Sequence, residues 1–144
     1  MRTITTEIAI AAPVGEVWAV LMDFDSYSEW NPFIVGLEGK PEVGTRLLAR
    51  LQPTGGKAMT FKPTVTAIEK ERFFQWLGRV GFKGIFDGRH SFRLSPTEHG
   101  TRLEHSEQFT GILSSMMSGK RHEVTEQGFQ AMNEALKART EAAN

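Results

Sequence analysis

The sequence of 144 residues contains no cysteine. Disulfide bonds, thiol nucleophiles and thiolate metal ligands are therefore excluded. The sequence also lacks an excess of either charge, because 17 Lys and Arg residues balance 17 Asp and Glu residues. A protein that binds nucleic acid through its phosphates normally carries a basic excess, so we do not expect a nucleic-acid partner.

Long apolar runs are absent as well. The longest early apolar stretch, residues 8–14, is interrupted by Pro13, whereas a membrane-spanning helix needs about 20 apolar residues. The first ten residues alternate polar and apolar side chains, unlike the apolar centre of a signal peptide. We therefore expect no membrane insertion, and the default location for such a chain is the cytoplasm.

Several catalytic and nucleotide-binding motifs are missing. A phosphate-binding loop around Lys57 fails because Leu51 stands where the first glycine is required and Ala58 where Ser or Thr is required. The sequence has neither an HExxH helix nor a GxSxG elbow, which removes support for a zinc protease or a serine hydrolase. The glycine spacing does not match a dinucleotide-binding fingerprint either.

What the sequence does contain is material for a packed core. Hydrophobic residues make up 40% of the chain, including 10 Phe and 3 Trp. A chain of this length and composition predicts one globular domain over residues 1–144, large enough for a core and a pocket.

The pattern of apolar residues predicts the order of elements. Residues 3–10 alternate as a strand, Pro13 suits the first turn of a helix, and the stripe that starts at Val14 indicates an amphipathic helix. A second helical turn over residues 26–30 precedes Asn31 and Pro32. Six further strands and a helix ending near Ala142 follow, with the strands expected at 33–38, 45–52, 59–68, 72–80, 84–94 and 101–110.

This order predicts an α+β fold. A curved sheet of seven antiparallel strands would wrap around a long C-terminal helix, with two short helices after the first strand. A strongly bent sheet that holds a helix leaves space between the two, and that space is the natural binding site.

Six segments spread along the chain carry a family resemblance, namely 12–18, 23–32, 44–45, 86–92, 100–103 and 132–137. In these segments the chain resembles the START-like superfamily, also called SRPBCC, which includes polyketide cyclase/dehydrase, lipid-transport and birch-pollen-allergen-like proteins. The resemblance implies a helix-grip fold with an elongated apolar cavity between sheet and C-terminal helix. It says little about function, because such a fold serves many ligands and a few reactions.

The last two predicted strands carry histidines and a glutamate on otherwise apolar faces. Side chains on one face of a strand recur at every second residue. The apolar face of the first of these strands consists of Phe86, Gly88, His90, Phe92 and Leu94. The corresponding face of the second consists of Leu103, His105, Glu107 and Phe109.

A hairpin turn within residues 95–100 predicts the pairing of these strands. It places His90 opposite His105, and Glu107 opposite Gly88 on the diagonal to His90. Two imidazoles and a carboxylate would then project together from an apolar wall.

Three interpretations of this trio stay open. Glu107 could accept hydrogen bonds from the histidines in a purely structural cluster. The three side chains could instead fix the polar end of an apolar ligand. They could also perform acid/base chemistry or form a metal site of two histidines and one carboxylate. Spacing does not separate these readings, so His90, His105 and Glu107 are catalytic candidates only, and we assign no metal or cofactor.

Other residues are weaker candidates for the ligand wall. Trp76 is more often a core residue than a ligand contact at such a position. Met116 suits either a lid or the start of a helix, and Met132 is the residue of the last helix expected to touch a ligand. The full set of expected ligand contacts is Trp76, Phe86, His90, Phe92, Leu103, His105, Glu107, Phe109, Met116 and Met132.

The function we predict is binding of a small hydrophobic or amphipathic molecule, such as a lipid, without a cofactor. The first alternative is a cyclase- or dehydratase-like lyase or isomerase with the His/Glu trio as acid and base. The second is a protein-interaction module on the same fold. The neutral charge allows either a monomer or a homodimer.

Overall fold

The computed structural model describes residues 2–80, 86–112, 114 and 119–143, with the backbone alone at Val80 and Phe86. Its elements follow the predicted order of strand, helices, strands and final helix. They are β1 (Arg2–Ile10), α1 (Val14–Met22), a 3-10 turn (Phe24–Ser26), α2 (Tyr27–Trp30), β2 (Ile34–Glu38), β3 (Leu48–Leu51), β4 (Met59–Phe61), β5 (Thr64–Glu69), β6 (Phe73–Val80), β7 (Phe86–Thr97), β8 (Gly100–Thr110) and α3 (Gly119–Ala142).

The strands form two antiparallel sheets. One has five strands in the order β1-β8-β7-β6-β5, and the other has three in the order β2-β3-β4. The α+β architecture with a long C-terminal helix is confirmed. The expected seven strands in one sheet are wrong, because the described residues form eight strands in two sheets. The region after β1 likewise holds three helical pieces rather than two.

Pro63 explains the additional strand. The sequence pattern predicts one strand over residues 59–68, but β4 ends at Phe61 and β5 begins at Thr64. Proline has no backbone N–H and cannot donate to a sheet ladder, so it is disfavoured inside a strand, and here the two strands lie on either side of Pro63. The carbonyl of Pro63 still accepts a hydrogen bond from the N–H of Leu47 at 2.7 Å.

The two sheets remain connected through the segment before β3. The N–H of Gly44 donates to the carbonyl of Val65 at 2.8 Å, and the N–H of Val65 donates to the carbonyl of Thr45 at 2.9 Å. Backbone hydrogen bonds therefore connect β5 to the segment that leads into β3 of the three-stranded sheet.

The turn after α2 directs an aromatic ring into the core. The side-chain oxygen of Asn31 accepts hydrogen bonds from the backbone N–H groups of Phe33 at 3.0 Å and Ile34 at 2.8 Å. This Asx turn ends the helix and starts β2. Phe33 then packs edge-on against Phe129 of α3, with 5.5 Å between ring centroids.

Helix α3 packs on the sheet along one face. Its buried residues are Gly128, Phe129, Met132, Asn133, Leu136 and Thr140. A Cβ atom at Gly128 would lie 2.6 Å from Cδ1 of Phe33, so the close approach of helix and ring requires a glycine there. Across the described residues, every helix falls short of the length or hydropathy needed to cross a bilayer.

Candidate functional site

A cavity of about 720 Å³ lies between the sheets and the first half of α3. Most of its wall is apolar. From the three-stranded sheet and its loops come Ala49, Leu51, Pro53, Met59 and Phe61, and from the five-stranded sheet come Trp76 and Phe109. The helix contributes Lys120, Arg121, Val124 and Thr125. The cavity therefore combines an apolar body with two cations on the helical side.

The polar part of the inner wall comes from the β7–β8 hairpin. His90 on β7 faces Glu107 on β8 directly, and Phe92 faces His105. Our predicted pairing of His90 with His105 is wrong by two residues, although His90, His105 and Glu107 lie on the predicted face. The strands continue to Thr97 and Gly100 and are joined by only two residues, a tighter turn than the sequence pattern indicates.

The two histidines and the glutamate lie in direct contact. Nε2 of His90 is 2.7 Å from Nε2 of His105. Nδ1 of His90 is 3.3 Å from Oε1 of Glu107. Both imidazoles are almost completely buried, whereas the side chain of Glu107 is 17% exposed and lines the cavity. Glu107 and His90 both line the cavity, and Glu107 is the more exposed of the two, whereas His105 is buried behind them.

The contacts continue beyond the trio to two residues that the sequence analysis missed. Nδ1 of His105 is 2.8 Å from Oδ1 of Asn133 on α3. Nδ2 of Asn133 donates to the hydroxyl oxygen of Thr6 on β1 at 2.8 Å, and that hydroxyl donates to the backbone carbonyl of His105 at 2.9 Å. We call the five residues Thr6, Asn133, His105, His90 and Glu107 the polar chain.

The sequence contains a signal for these two residues. Asn133 follows Met132 and precedes Leu136 on the buried face of α3. Thr6 lies between the buried residues Ile4 and Ile10 on the inward face of β1. A polar residue on an apolar face needs a buried partner, and each of the two supplies that partner for the other.

Burial disfavours the charged form of His105. Burial lowers the pKa of His105 well below its usual value, and the neighbouring His90 lowers it further, while hydrogen bonds to Asn133 and to the backbone of Phe129 act in the opposite direction. The ring of Phe129 stacks on His105 at 4.2 Å between centroids. An imidazole enclosed in this way has no water to stabilise a positive charge.

The predicted ligand contacts fall into three groups. Trp76, His90, Glu107 and Phe109 line the cavity. Four others are buried in the core behind it, namely Phe92, Leu103, His105 and Met132. The side chain of Phe86 and the whole of Met116 lie outside the described residues. Contact of any of these residues with a ligand stays a prediction.

A metal site of two histidines and one carboxylate does not match the geometry. The Nε2 atoms of the histidines point at one another over 2.7 Å instead of at a common point. In the part of the chain that the structure describes, no group of three or more His, Cys, Asp or Glu residues is arranged to hold a metal ion.

Antiparallel sheets packed on a long C-terminal helix, with a cavity between them, define a START-like helix-grip fold. The family can also be stated. Residues 1–141 match the family described as "Polyketide cyclase / dehydrase and lipid transport", and the chain belongs to that family. A sequence comparison with curated proteins gives no match.

Solved structures share this fold. Protein TTHA0849 from Thermus thermophilus aligns with a TM-score of 0.78 and 17% identity over 99% of both chains. A START superfamily protein from Mycobacterium smegmatis gives a TM-score of 0.76 and 16% identity, also over 99% of both chains. The di-domain ARO/CYC protein StfQ from the steffimycin biosynthetic pathway gives 0.71 and 14%, covering 98% of this chain and 51% of StfQ. At these identities the similarity establishes the fold alone.

Proposed function

We propose that residues 1–144 act as one ligand-binding domain that holds a small hydrophobic or amphipathic molecule between the sheets and α3. The observation that carries the proposal is the cavity of about 720 Å³ with its largely apolar wall. Binding sites for small molecules typically have volumes of roughly 300–1,000 Å³ and apolar walls with a few polar groups. One continuous core that joins residues of both sheets with residues of α1 and α3 supports a single domain.

The distribution of polar groups supports an amphipathic ligand. Glu107 and His90 lie on the inner wall, and Lys120 and Arg121 lie on the helical side, where both are exposed. An apolar molecule gains about 25 cal/mol for each Å² of its surface that leaves water. A polar group at one end of the ligand would fix its orientation in the cavity through one or two hydrogen bonds.

A variant that fills the cavity tests this function. Val124 lines the cavity, so Val124→Phe should lower the affinity for the apolar fluorescent probe N-phenyl-α-naphthylamine at least about fivefold, which is near 1 kcal/mol. The matched control is Val43→Phe at a surface position that is 63% exposed. Native mass spectrometry of the purified protein identifies any molecule that copurifies. Equal probe affinity in wild type and both variants contradicts the proposal.

A second candidate, an enzyme with acid/base chemistry, has one observation in its favour. The Glu107 carboxyl group lines the cavity and contacts the buried imidazole of His90, an arrangement that suits removal of a proton next to a ketone. Such a step belongs to cyclisation or dehydration of a polyketide-like substrate, and the di-domain ARO/CYC protein StfQ shares the fold over 51% of its chain. In that case Glu107→Gln should abolish turnover and retain probe binding. Unchanged turnover in this variant rejects Glu107 as the base.

A further inference from the structure

The hydrogen positions in the polar chain can be assigned from its buried end. Oδ1 of Asn133 faces Nδ1 of His105, because Nδ2 of Asn133 donates to the Thr6 hydroxyl, which itself donates to the carbonyl of His105. The imidazole of His105 also interacts with the backbone of Phe129, a contact that raises the pKa of the ring. A carbonyl oxygen can only accept. Nδ1 of His105 therefore carries a hydrogen.

The next position follows from the neutrality of His105. A neutral imidazole has one N–H and one nitrogen with a lone pair. Because the hydrogen is on Nδ1, Nε2 of His105 is the acceptor, and its neighbour at 2.7 Å, Nε2 of His90, must be the donor. Three of the four ring nitrogens are then assigned as donor or acceptor, and Nδ1 of His90 is the fourth.

The two oxygens of the Glu107 carboxyl group have different neighbours. Oε1 is the one that lies 3.3 Å from Nδ1 of His90, and Oε2 lies over Gly88. A carboxylate oxygen offers only lone pairs, so Oε2 can accept a hydrogen bond but cannot donate one.

Oε2 of Glu107 lies at the cavity wall in the space left by the missing side chain of Gly88. Gly88 lies on β7 beside His90 and lines the cavity. A Cβ atom at this position would collide with Oε2 of Glu107. The carboxyl group therefore occupies the space that any other residue would fill with its side chain.

We propose that the polar chain fixes Oε2 of Glu107 as a hydrogen-bond acceptor for a hydroxyl group at the inner end of an otherwise apolar ligand. This inference rests on the proposed binding function and adds the chemistry of the ligand. His90 and His105 use all their ring nitrogens on each other and on the rest of the polar chain, so they serve as positioning residues. Ketones and carboxylates, which bring only acceptors to this end, are disfavoured.

A matched pair of probes tests the acceptor. The probe α-naphthol has a hydroxyl donor, and its methyl ether has the same rings without a donor. We expect the wild-type protein to bind the naphthol roughly three- to tenfold more tightly than the ether, the usual effect of one hydrogen bond. Equal affinities would overturn the proposal, whereas failure of both probes to bind counts against the binding function itself.

Two substitutions at Glu107 sharpen the test. In Glu107→Gln the amide N–H can donate to Nδ1 of His90 while the amide oxygen takes the place of Oε2, so the preference for naphthol should persist. In Glu107→Leu the acceptor is lost, and the ratio of the two affinities should fall to about one. A preference that survives Glu107→Leu overturns the proposal.

The hydrogen assignment has a readout that needs no ligand. Nitrogen chemical shifts measured by NMR distinguish the two neutral forms of an imidazole from the cation. We expect His105 as the neutral form with its hydrogen on Nδ1, and Nε2 of His90 carrying a hydrogen. A hydrogen on Nε2 of neutral His105 would reverse the order of donors along the polar chain and overturn the proposal.

Discussion

The two halves of α3 are used differently. In the second half, from Gly128 onward, Phe129, Met132 and Leu136 are fully buried against the sheet and the first helix. The first half, residues 119–127, has no fully buried side chain and forms one wall of the cavity. The same helix therefore stabilises the fold at one end and limits the binding space at the other.

Gly128 marks the division between the two halves. It lets α3 approach the Phe33 ring closely, and the polar chain crosses from helix to sheet about one and a half turns further along, at Asn133. Past this point the buried side chains of α3 fill the interval between helix and sheet. A substitution should therefore affect stability in the second half of α3 and affinity in the first half.

The largest expected effect comes from truncating the packed half. Phe129 contacts the rings of Phe33, His90 and His105, so Phe129→Ala should lower the free energy of unfolding by about 3–5 kcal/mol. Val124→Ala, in the cavity half, should cost less than about 1.5 kcal/mol. Urea denaturation followed by tryptophan fluorescence measures both. Equal losses would show that the two halves do not differ.

Substitution of Gly128 should cause the next largest loss in the free energy of unfolding. In Gly128→Ala the new methyl group would lie 2.6 Å from the Phe33 ring, and this strain should lower the free energy of unfolding by about 1–3 kcal/mol despite the better helix propensity of alanine. The control is Gly119→Ala, where a Cβ meets no atom within 4 Å. That control should be neutral or more stable by up to about 1 kcal/mol. If both substitutions stabilise the protein, the close contact between Gly128 and the Phe33 ring is contradicted.

The polar chain predicts a pH dependence of stability. Because the pKa of His105 is depressed by burial in the folded state, the unfolded chain binds a proton below about pH 6.5, near the usual histidine pKa, that the folded chain does not bind. Below that pH, stability should fall by up to about 1.4 kcal/mol per pH unit from this residue. The His105→Gln variant should lose this component, and the exposed turn variant His99→Gln should keep it. Parallel curves for all three proteins would contradict a buried neutral His105.

A substitution beneath Glu107 should change selectivity with little change in stability. Gly88→Ala forces the Glu107 carboxylate to move, since its Oε2 occupies the space of the new Cβ. The preference for α-naphthol over its ether should fall about two- to fivefold, while the free energy of unfolding changes by less than about 1 kcal/mol. At Gly36 a Cβ would make an ordinary contact of 3.7 Å, so Gly36→Ala should retain the preference. Loss of selectivity in both would indicate a general disturbance of the sheet.

The smallest effect should come from the cavity half of α3. Lys120 is exposed and lines the cavity, so Lys120→Gln should weaken binding of the anionic probe anilinonaphthalene sulfonate about twofold, because exposed ion pairs contribute little. Binding of the neutral N-phenyl-α-naphthylamine should stay the same. Lys40→Gln, in the loop between β2 and β3, is the control. An equal effect of both lysine substitutions would assign the change to overall charge.

The sequence predicted the face of the strand on which a side chain lies better than the residue that pairs with it on the next strand. Alternation on β7 and β8 correctly assigned His90, His105 and Glu107 to the inward side, because a strand repeats every two residues. The pairing was wrong by two residues, since a shift of two keeps every side chain on its face and leaves the apolar pattern unchanged. The length of the turn decides between such registers.

Contacts between distant parts of the chain were the least predictable. Thr6 and Asn133 are separated by 127 positions, and neither belongs to a motif. The division of the sheet at Pro63 was missed because the apolar pattern on its two sides continues without a break. Both features depend on how elements pack in three dimensions, which periodicity along one element does not describe.

The polar chain also constrains how this sequence can change. Every member has a partner on both sides or ends at the cavity, so a single apolar substitution leaves a buried polar atom without a partner at a cost of about 1–3 kcal/mol. Replacement of several members by apolar residues of similar shape removes that penalty. The effects of substitutions at Thr6, Asn133, His105 and His90 should therefore be strongly epistatic, and viable variants should exchange these residues together.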